Sequence, residues 1–246
     1  MESSNSLQNS FASGLRDGIP IGLGYFSVSM TFGILCVMDG LPIWAAAVIS
    51  MTNLTSAGQF AGLSLICAHS SLLEMALTQL IINLRYALMS LSLSQKLSAG
   101  ISLPGRLGAS YFITDEIFAV AASQPGEVGG RYLAGLAIMP YLGWSLGTLC
   151  GAVASGFLPE SVRSAFGIAL YGMFIAIVIP VVRQSRAVLG VVVLAVFLSC
   201  AIRFAPLLSN ISSGFSIILC TVVAAGAGAL LAPVSDAEEA SDHANA

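Results

Sequence analysis

Long segments of apolar residues, most of them uncharged, alternate with short polar breaks along most of the chain. A helix needs about 20 mostly apolar residues to cross the roughly 30 Å hydrocarbon core of a membrane, and most of these segments have that length. The pattern therefore predicts an all-α, polytopic integral membrane protein with seven or eight helices. The segments cover residues 18–38, 41–68, 72–93, 107–123, 132–157, 164–182, 187–202 and 211–232.

One segment, 107–123, is short and carries Asp115 and Glu116 at its centre. Three arrangements stay open for it, because it could span the membrane, re-enter it or lie beside the helix bundle. The orientation of the chain stays open for the same reason. An eight-span arrangement divides the basic loop residues evenly between the two sides, whereas a seven-span arrangement favours the cytoplasm for five of them. These five are Lys96, Arg106, Arg131, Arg183 and Arg186.

Two short motifs recur at nearly the same spacing and predict an internal repeat. The sequence LRYA at residues 84–87 returns as IRFA at 202–205, 118 positions later, and Leu-Pro at 41–42 returns at 158–159, 117 positions later. The repeat would be inverted only if its first half crosses the membrane an odd number of times. We divide the chain into a polar N-terminal tail (1–17), a first membrane repeat (18–123), a second membrane repeat (131–232) and an acidic disordered tail (233–246).

Composition supports a lipid environment. Charged residues make up 9% of the chain, against roughly 25% in soluble domains. The net charge of -3 arises from four acidic residues in the C-terminal tail, so the remainder is nearly neutral and nucleic acid is not an expected partner. The five cysteines stand singly in apolar segments without metal-ligand spacing, so we expect no metal site and no cofactor.

Polar residues crowd into the middle of segment 41–68, which is too long for one perpendicular span. Such side chains compete for backbone hydrogen bonds and prefer helix ends. One hypothesis is an unwound turn near Asn53, with Thr55 or Ser56 capping a half-helix whose positive end faces a substrate carboxylate. The alternative is a continuous helix whose polar residues bind neighbouring helices. The candidate substrate-binding residues here are Ser50, Asn53, Thr55, Ser56, Gly58 and Gln59.

Arg85 lies inside the next apolar segment, where an unpaired guanidinium is costly. Asp115 and Glu116 are the nearest intramembrane acids that could neutralise it. Such a pair either fastens two helices or acts as a gate and recognition site, in which one carboxylate exchanges a proton. Asn83 is a further candidate for substrate binding on the same segment, and the repeat adds Tyr171 as a residue that could line the site.

Two series of glycines at every fourth position, 14-18-22 and 143-147-151, indicate close helix packing and need no role in binding. The chain has no HExxH, GxSxG or phosphate-binding GxxxxGK[ST] motif, so we do not expect an enzyme. A transporter without a nucleotide site must use ion gradients or another subunit.

At these residues the chain resembles the AzlC family, the large subunit of bacterial branched-chain amino-acid exporters. The matching pieces are Phe32-Gly33, Ser50-Met51, Ala57-Gly58-Gln59-Phe60, Asn83-Leu84-Arg85-Tyr86, Thr114-Asp115-Glu116 with Phe118, and Trp144 with Gly147-Thr148. The resemblance extends from about residue 14 to 185. It implies export of leucine, isoleucine, valine or similar neutral amino acids across the bacterial inner membrane, together with a small hydrophobic partner subunit of the AzlD type.

Residue pattern and resemblance together predict a multi-pass secondary transporter subunit, surrounded by membrane lipid, that exports branched-chain or other neutral amino acids in exchange for protons. Two alternatives stay open. The chain could be a channel or passive facilitator for a small polar solute, or a membrane assembly subunit without transport activity.

Overall fold

The computed structural model describes residues 10–205 and 211–232, so the predictions for residues 1–9 and for the acidic tail at 233–246 lie outside this part of the chain. In the described ranges every regular element is a helix, apart from an isolated bridge between Leu97 and Val128. This confirms the all-α prediction. The helices are α1 (Phe11–Met38), α2 (Ile43–Thr52), α3 (Ala57–Cys67), α4 (Leu72–Lys96), α5 (Leu103–Tyr111), α6 (Asp115–Ala122), α7 (Gly130–Ala154), α8 (Glu160–Gln184), α9 (Arg186–Phe204) and α10 (Ser213–Leu231).

The ten helices of the described ranges exceed the predicted seven or eight because two apolar segments are each divided. Segment 41–68 forms α2 and α3, and segment 107–123 forms α6 and most of α5. Thr114 starts α6 by accepting a hydrogen bond at Oγ1 from the Ile117 backbone N–H at 3.4 Å, which is the usual role of threonine at a helix N-terminus. At the other end of the chain, Ser10 caps α1 in the same way.

Five described helices are long and apolar enough to cross a membrane, namely α1, α4, α7, α9 and α10. The described chain forms two compact units. In the described ranges, unit 1 comprises residues 10–60 and 83–170, and unit 2 comprises residues 61–82, 171–205 and 211–232.

Unit 1 is built on close packing between α1 and α7. Gly14 and Gly18 lie against the carbonyls of Tyr132 and Leu136, and Gly147 and Gly151 of α7 lie against α1 in return. Any side chain at these positions would strike backbone atoms of the opposite helix. The predicted glycine packing is confirmed, and it brings the two backbones unusually close together.

The α1 and α7 helices run parallel, because residues near both N-termini meet (Gly14 with Tyr132) and residues near both C-termini meet (Gly33 with Thr148). If both helices span, the chain between them must cross the membrane an odd number of times. With α1 itself included, the chain from α1 to α6 then crosses the membrane an even number of times. The second half, which begins with α7, therefore enters the membrane from the same side as the first half. The parallel packing therefore argues against an inverted repeat, while the repeat itself stays a prediction.

In unit 2, the first half of α4 supports the start of α10. Glu74 is 5% exposed, and its carboxylate accepts hydrogen bonds from Ser212 Oγ (2.5 Å) and from the Gly214 backbone N–H (2.9 Å). A carboxylate at this position satisfies a free N–H and complements the positive end of the α10 dipole. Glu74 thus acts as a cap supplied by another helix.

Candidate functional site

The polar stretch between α2 and α3 is unwound, as one of the two hypotheses predicted. Helix α2 ends at Thr52, Asn53 is extended (φ −147°, ψ 114°) and Ser56 has a left-handed backbone (φ +47°). The Asn53 side-chain oxygen accepts a hydrogen bond from the Thr55 N–H at 3.1 Å. The Thr55 N–H is therefore bonded to a side chain and not to a helical carbonyl oxygen. The helix is interrupted at this point, and the continuous-helix alternative is wrong.

Three buried side chains hold the two sides of this break together. Gln59 Nε2 in the first turn of α3 donates to Ser50 Oγ of α2 (3.0 Å), and Ser50 Oγ lies 2.7 Å from Thr148 Oγ1 of α7. Ser50, Gln59 and Thr148 are almost completely enclosed. A buried polar network of this kind stabilises one arrangement of its helices strongly, because each broken bond would leave an unsatisfied group.

Arg85 and Asp115 form an ion pair with 2.8 Å between the Arg85 NH1 nitrogen and a carboxylate oxygen of Asp115. Their side chains are 44% and 47% exposed, so the pair is not sealed inside unit 1. The Arg85 guanidinium also lies over the Tyr86 ring, 5.0 Å from its centroid, and donates to the Tyr86 hydroxyl at 3.3 Å. The predicted counter-charge for Arg85 is therefore Asp115, and the pair leaves room for a third partner.

Glu116, the neighbouring acid, has a different partner. Its carboxylate accepts a hydrogen bond from the Tyr25 hydroxyl of α1. The Tyr25 ring packs edge-on against Trp144 of α7, with 5.3 Å between the ring centroids. Both acids lie in the first turn of α6, where the helix dipole favours negative charge. The two adjacent carboxylates thus have different partners, a cation for Asp115 and a phenol for Glu116.

A single stripe of α7 connects these groups. Tyr141, Trp144 and Thr148 follow one another at intervals of three and four residues and so share one helix face. Tyr141 donates to the Met51 carbonyl oxygen at 3.2 Å, while the other two contact Tyr25 and Ser50.

The Met51 carbonyl also accepts from Tyr111, the last residue of α5. It is therefore the point where the α2–α3 break and the α5–α6 break meet within unit 1.

Some buried polar atoms around this stripe have no hydrogen-bond partner among the residues that the structure describes. They are Thr55 Oγ1 and Gln59 Oε1 at the α2–α3 break and Trp144 Nε1 on α7. Buried polar groups are normally hydrogen-bonded, so exceptions indicate bound water or ligand. The unpaired Thr55 hydroxyl also means that its side chain does not cap α3.

The remaining predicted residues are Gly58, Asn83 and Tyr171. Gly58 lies in the first turn of α3, and Asn83 lies on α4 half a turn before Arg85. Tyr171 belongs to unit 2 and its side chain is 69% exposed, so its part in binding stays a prediction. In the described ranges no group of three or more His, Cys, Asp or Glu side chains has the spacing to hold a metal ion.

Sequence reasoning did not assign a binding role to Tyr25, Tyr111, Tyr141, Trp144 or Thr148. The spacing of the last three on one face of α7 is a usable signal, since it places two aromatic rings and a hydroxyl in a row within an apolar segment. No comparable signal connects Tyr25 with Glu116.

Comparison with known proteins identifies relatives across most of the chain. The AzlC protein family model matches residues 20–158. An uncharacterized membrane protein of Archaeoglobus fulgidus is 30% identical over 172 residues, which cover 69% of this chain and 75% of the relative. The inner membrane protein YgaZ of Escherichia coli is 26% identical over 184 residues, with 72% and 75% covered. No solved structure matches the chain significantly.

Proposed function

Because the chain belongs to the AzlC family, we propose that this membrane protein is a secondary-transporter subunit that exports branched-chain or other neutral amino acids in exchange for protons. We place it in the bacterial inner membrane by analogy with YgaZ. The proposal assigns no catalytic chemistry to the chain.

The observation that carries the proposal is the half-exposed ion pair of Arg85 and Asp115. A neutral amino acid carries one carboxylate and one ammonium group, so it offers the complement of each member of the pair. Arg85 can bind the carboxylate through two parallel N–H groups, while Asp115 accepts from the ammonium. The substrate would then replace one ion pair by two, and no charge would be left unpaired in a medium of low polarity.

The α2–α3 break supports the same proposal by supplying polar atoms next to aromatic surface. The unpartnered oxygens of Thr55 and Gln59 can accept from an ammonium group or a water molecule, and the Trp144 N–H can donate to a carboxylate. Ligand sites combine a few such groups with apolar walls, and the rings of Tyr25 and Trp144 provide such walls here. Interrupted helices are also a common feature of transporter binding sites.

Glu116 is our candidate for the proton-exchanging group. It is adjacent to Asp115 but bonded to the Tyr25 hydroxyl, so it can change protonation without directly breaking the Arg85 ion pair. Protonation of Glu116 would remove a negative charge from the first turn of α6, next to the proposed ammonium site. Coupling in this scheme arises because substrate and proton compete for the same local negative charge.

We further propose that the functional unit includes a small hydrophobic subunit of the AzlD type. Many large apolar side chains on the outer faces of the described helices are exposed in the single chain. Membrane lipid and such a subunit would share this surface.

The test is efflux of labelled leucine from proteoliposomes that contain the chain together with its partner subunit. Acidifying the outer medium should accelerate efflux, and a protonophore should abolish the acceleration. Arg85→Gln should slow gradient-driven efflux roughly tenfold or more, as expected when a charge-assisted hydrogen bond is lost. The matched control is Arg183→Gln, because Arg183 is an exposed arginine on α8 in unit 2.

Three outcomes contradict the proposal in distinguishable ways. Leucine flux that ignores the proton gradient and shows no counterflow would indicate a passive facilitator. Absence of leucine flux with the partner present would favour an assembly subunit without transport activity. Equal effects of the Arg85 and Arg183 variants would remove Arg85 from the binding site.

A further inference from the structure

An apolar cavity of about 560 Å³ lies in unit 1, on the part of α4 that follows the ion pair, and we call it the α5 cavity. Its walls come from the second half of α4, from α5, from α6 and from the first half of α7, with Leu93, Leu107, Ile117 and Leu133 among the lining residues. The volume falls in the range of roughly 300–1,000 Å³ that ligand sites occupy. Nothing in the proposed transport cycle uses this cavity.

The walls of the α5 cavity offer few polar partners. Among its serines, Ser94 donates its hydroxyl to the Leu91 carbonyl (2.6 Å) and Ser110 donates to the Leu107 carbonyl (2.7 Å). Both hydroxyls are therefore engaged within their own helices. An amino-acid zwitterion would lose its hydration in such a cavity without compensation, whereas a hydrocarbon chain would gain by entering it.

Arg106 is the one charged residue among the lining residues of the α5 cavity in the described part of the chain. Its guanidinium donates to the carbonyls of Ile101 (3.3 Å) and Ser98 (3.4 Å). A guanidinium carries five N–H groups, so donors remain for another acceptor. Arg106 also lies near the N-terminal end of α5, where the helix dipole does not favour a cation. Helix electrostatics therefore do not account for its position.

The surroundings of Arg106 are basic on balance. The segment after α4 is joined to the segment before α7, because Val128 N–H donates to the Lys96 carbonyl (2.8 Å) and Ser98 N–H donates to the Val128 carbonyl (3.0 Å). This junction gathers the basic residues Lys96, Arg106 and Arg131. Its acidic neighbours are Glu127 and Asp17, which accepts from the Tyr132 hydroxyl at 2.7 Å. An excess of basic residues at one end of a membrane bundle marks the cytoplasmic side, where anionic lipids are abundant.

We propose that the α5 cavity binds an acyl chain of an anionic phospholipid from the cytoplasmic leaflet, with the lipid phosphate on Arg106. Leu103 and Leu107 at the start of α5 are 70% and 64% exposed, so this side of the cavity is open to the acyl region of a bilayer. The ligand is thus anionic at the basic end and apolar along the rest of its length. Both parts have a counterpart in the structure.

The test measures binding of phosphatidylglycerol and phosphatidylcholine to the delipidated full chain by native mass spectrometry. The wild type should retain phosphatidylglycerol in preference to phosphatidylcholine. Arg106→Gln should weaken phosphatidylglycerol binding roughly tenfold, as expected for the loss of a charge-assisted hydrogen bond. Arg131→Gln removes the same charge from the same end of the bundle without touching the cavity, and should change binding less than about twofold.

A second pair of variants tests the apolar part of the site. Gly108 lines the cavity, and a Cβ atom there would meet no atom within 4 Å, so Gly108→Phe adds a bulky side chain at the cavity without a backbone clash. Gly100 is equally unobstructed but does not line the cavity. Gly108→Phe should therefore reduce lipid binding, whereas Gly100→Phe should leave it unchanged.

Several results would overturn the lipid proposal. Equal losses for Arg106→Gln and Arg131→Gln would mean that only the general surface charge attracts lipid. Displacement of the bound species by inorganic phosphate would indicate a site for free phosphate. Equal binding in both glycine variants would remove the cavity from the explanation. Displacement of the lipid by a co-expressed small subunit would show that a protein segment occupies the cavity.

Discussion

A methyl group added at Gly18 should weaken the packing of α1 against α7. A Cβ atom there would lie 2.6 Å from the Leu136 carbonyl oxygen and 3.3 Å from Pro140 Cδ, whereas ordinary contacts begin at 3.4 Å. The oxygen belongs to the helix backbone and cannot rotate away. The two helices must therefore separate locally by the missing 0.8 Å.

A control in the same helix isolates the free-energy cost of this steric clash. Gly24 faces open space, since a Cβ atom there would meet nothing within 4 Å. Both Gly18→Ala and Gly24→Ala gain about 1 kcal/mol of helix propensity. Their difference therefore reports the clash alone, which should be about 1–3 kcal/mol for an overpacked contact.

Equilibrium unfolding in mixed detergent micelles, followed by circular dichroism, measures this difference. Gly18→Ala should have the lower free energy of unfolding by that amount, and Gly24→Ala should equal or exceed the wild type. If Gly18→Ala proves as stable as Gly24→Ala, α1 and α7 are not in backbone contact and the parallel arrangement loses its support.

Two further predictions concern local stability. Ser56→Gly should raise the free energy of unfolding by up to about 1 kcal/mol, because glycine adopts the left-handed backbone of residue 56 without the cost that a Cβ atom imposes. Thermal unfolding of the purified variant measures this change. A clear loss of stability would refute the unwound turn. Glu74→Leu should lower the free energy of unfolding by about 1–2 kcal/mol because it removes the cap of α10, whereas Glu74→Gln keeps an acceptor and should lower it less. Identical losses for the two variants in the same assay would show that the hydrogen bonds to Ser212 and Gly214 do not contribute to stability.

Two features of the site could be predicted from sequence because each follows from a local conflict. The side chains around Asn53 compete with the helix for backbone hydrogen bonds, and the structure is unwound there. An arginine in an apolar segment needs a counter-charge, and few acids lie in the apolar segments. The ion pair of Arg85 with Asp115 satisfies that need.

Other features depend on contacts between distant parts of the chain. Tyr25 and Glu116 are 91 positions apart, and Tyr111 and Met51 are 60 apart. Helical periodicity predicts which face a residue occupies but not which helix lies opposite, so these pairs had no signal in the sequence.

The division of segment 107–123 is a different case. Thr114 followed by Asp115 and Glu116 is a typical helix start, with a capping threonine and two acids in the first turn. That signal was available within the segment. The length and apolar character of the segment do not distinguish one helix from two short ones.

The most direct test of the account is gradient-driven leucine efflux by the double variant Arg85→Gln/Asp115→Asn, reconstituted with the partner subunit. The substitutions remove both charges while nearly preserving shape, so neither group is left as an unpaired ion and stability should stay within about 1 kcal/mol of the wild type. If the pair exists to bind the substrate, the double variant folds normally and its efflux falls to the level of empty liposomes. Near-normal efflux would show that the pair only fastens α4 to α6.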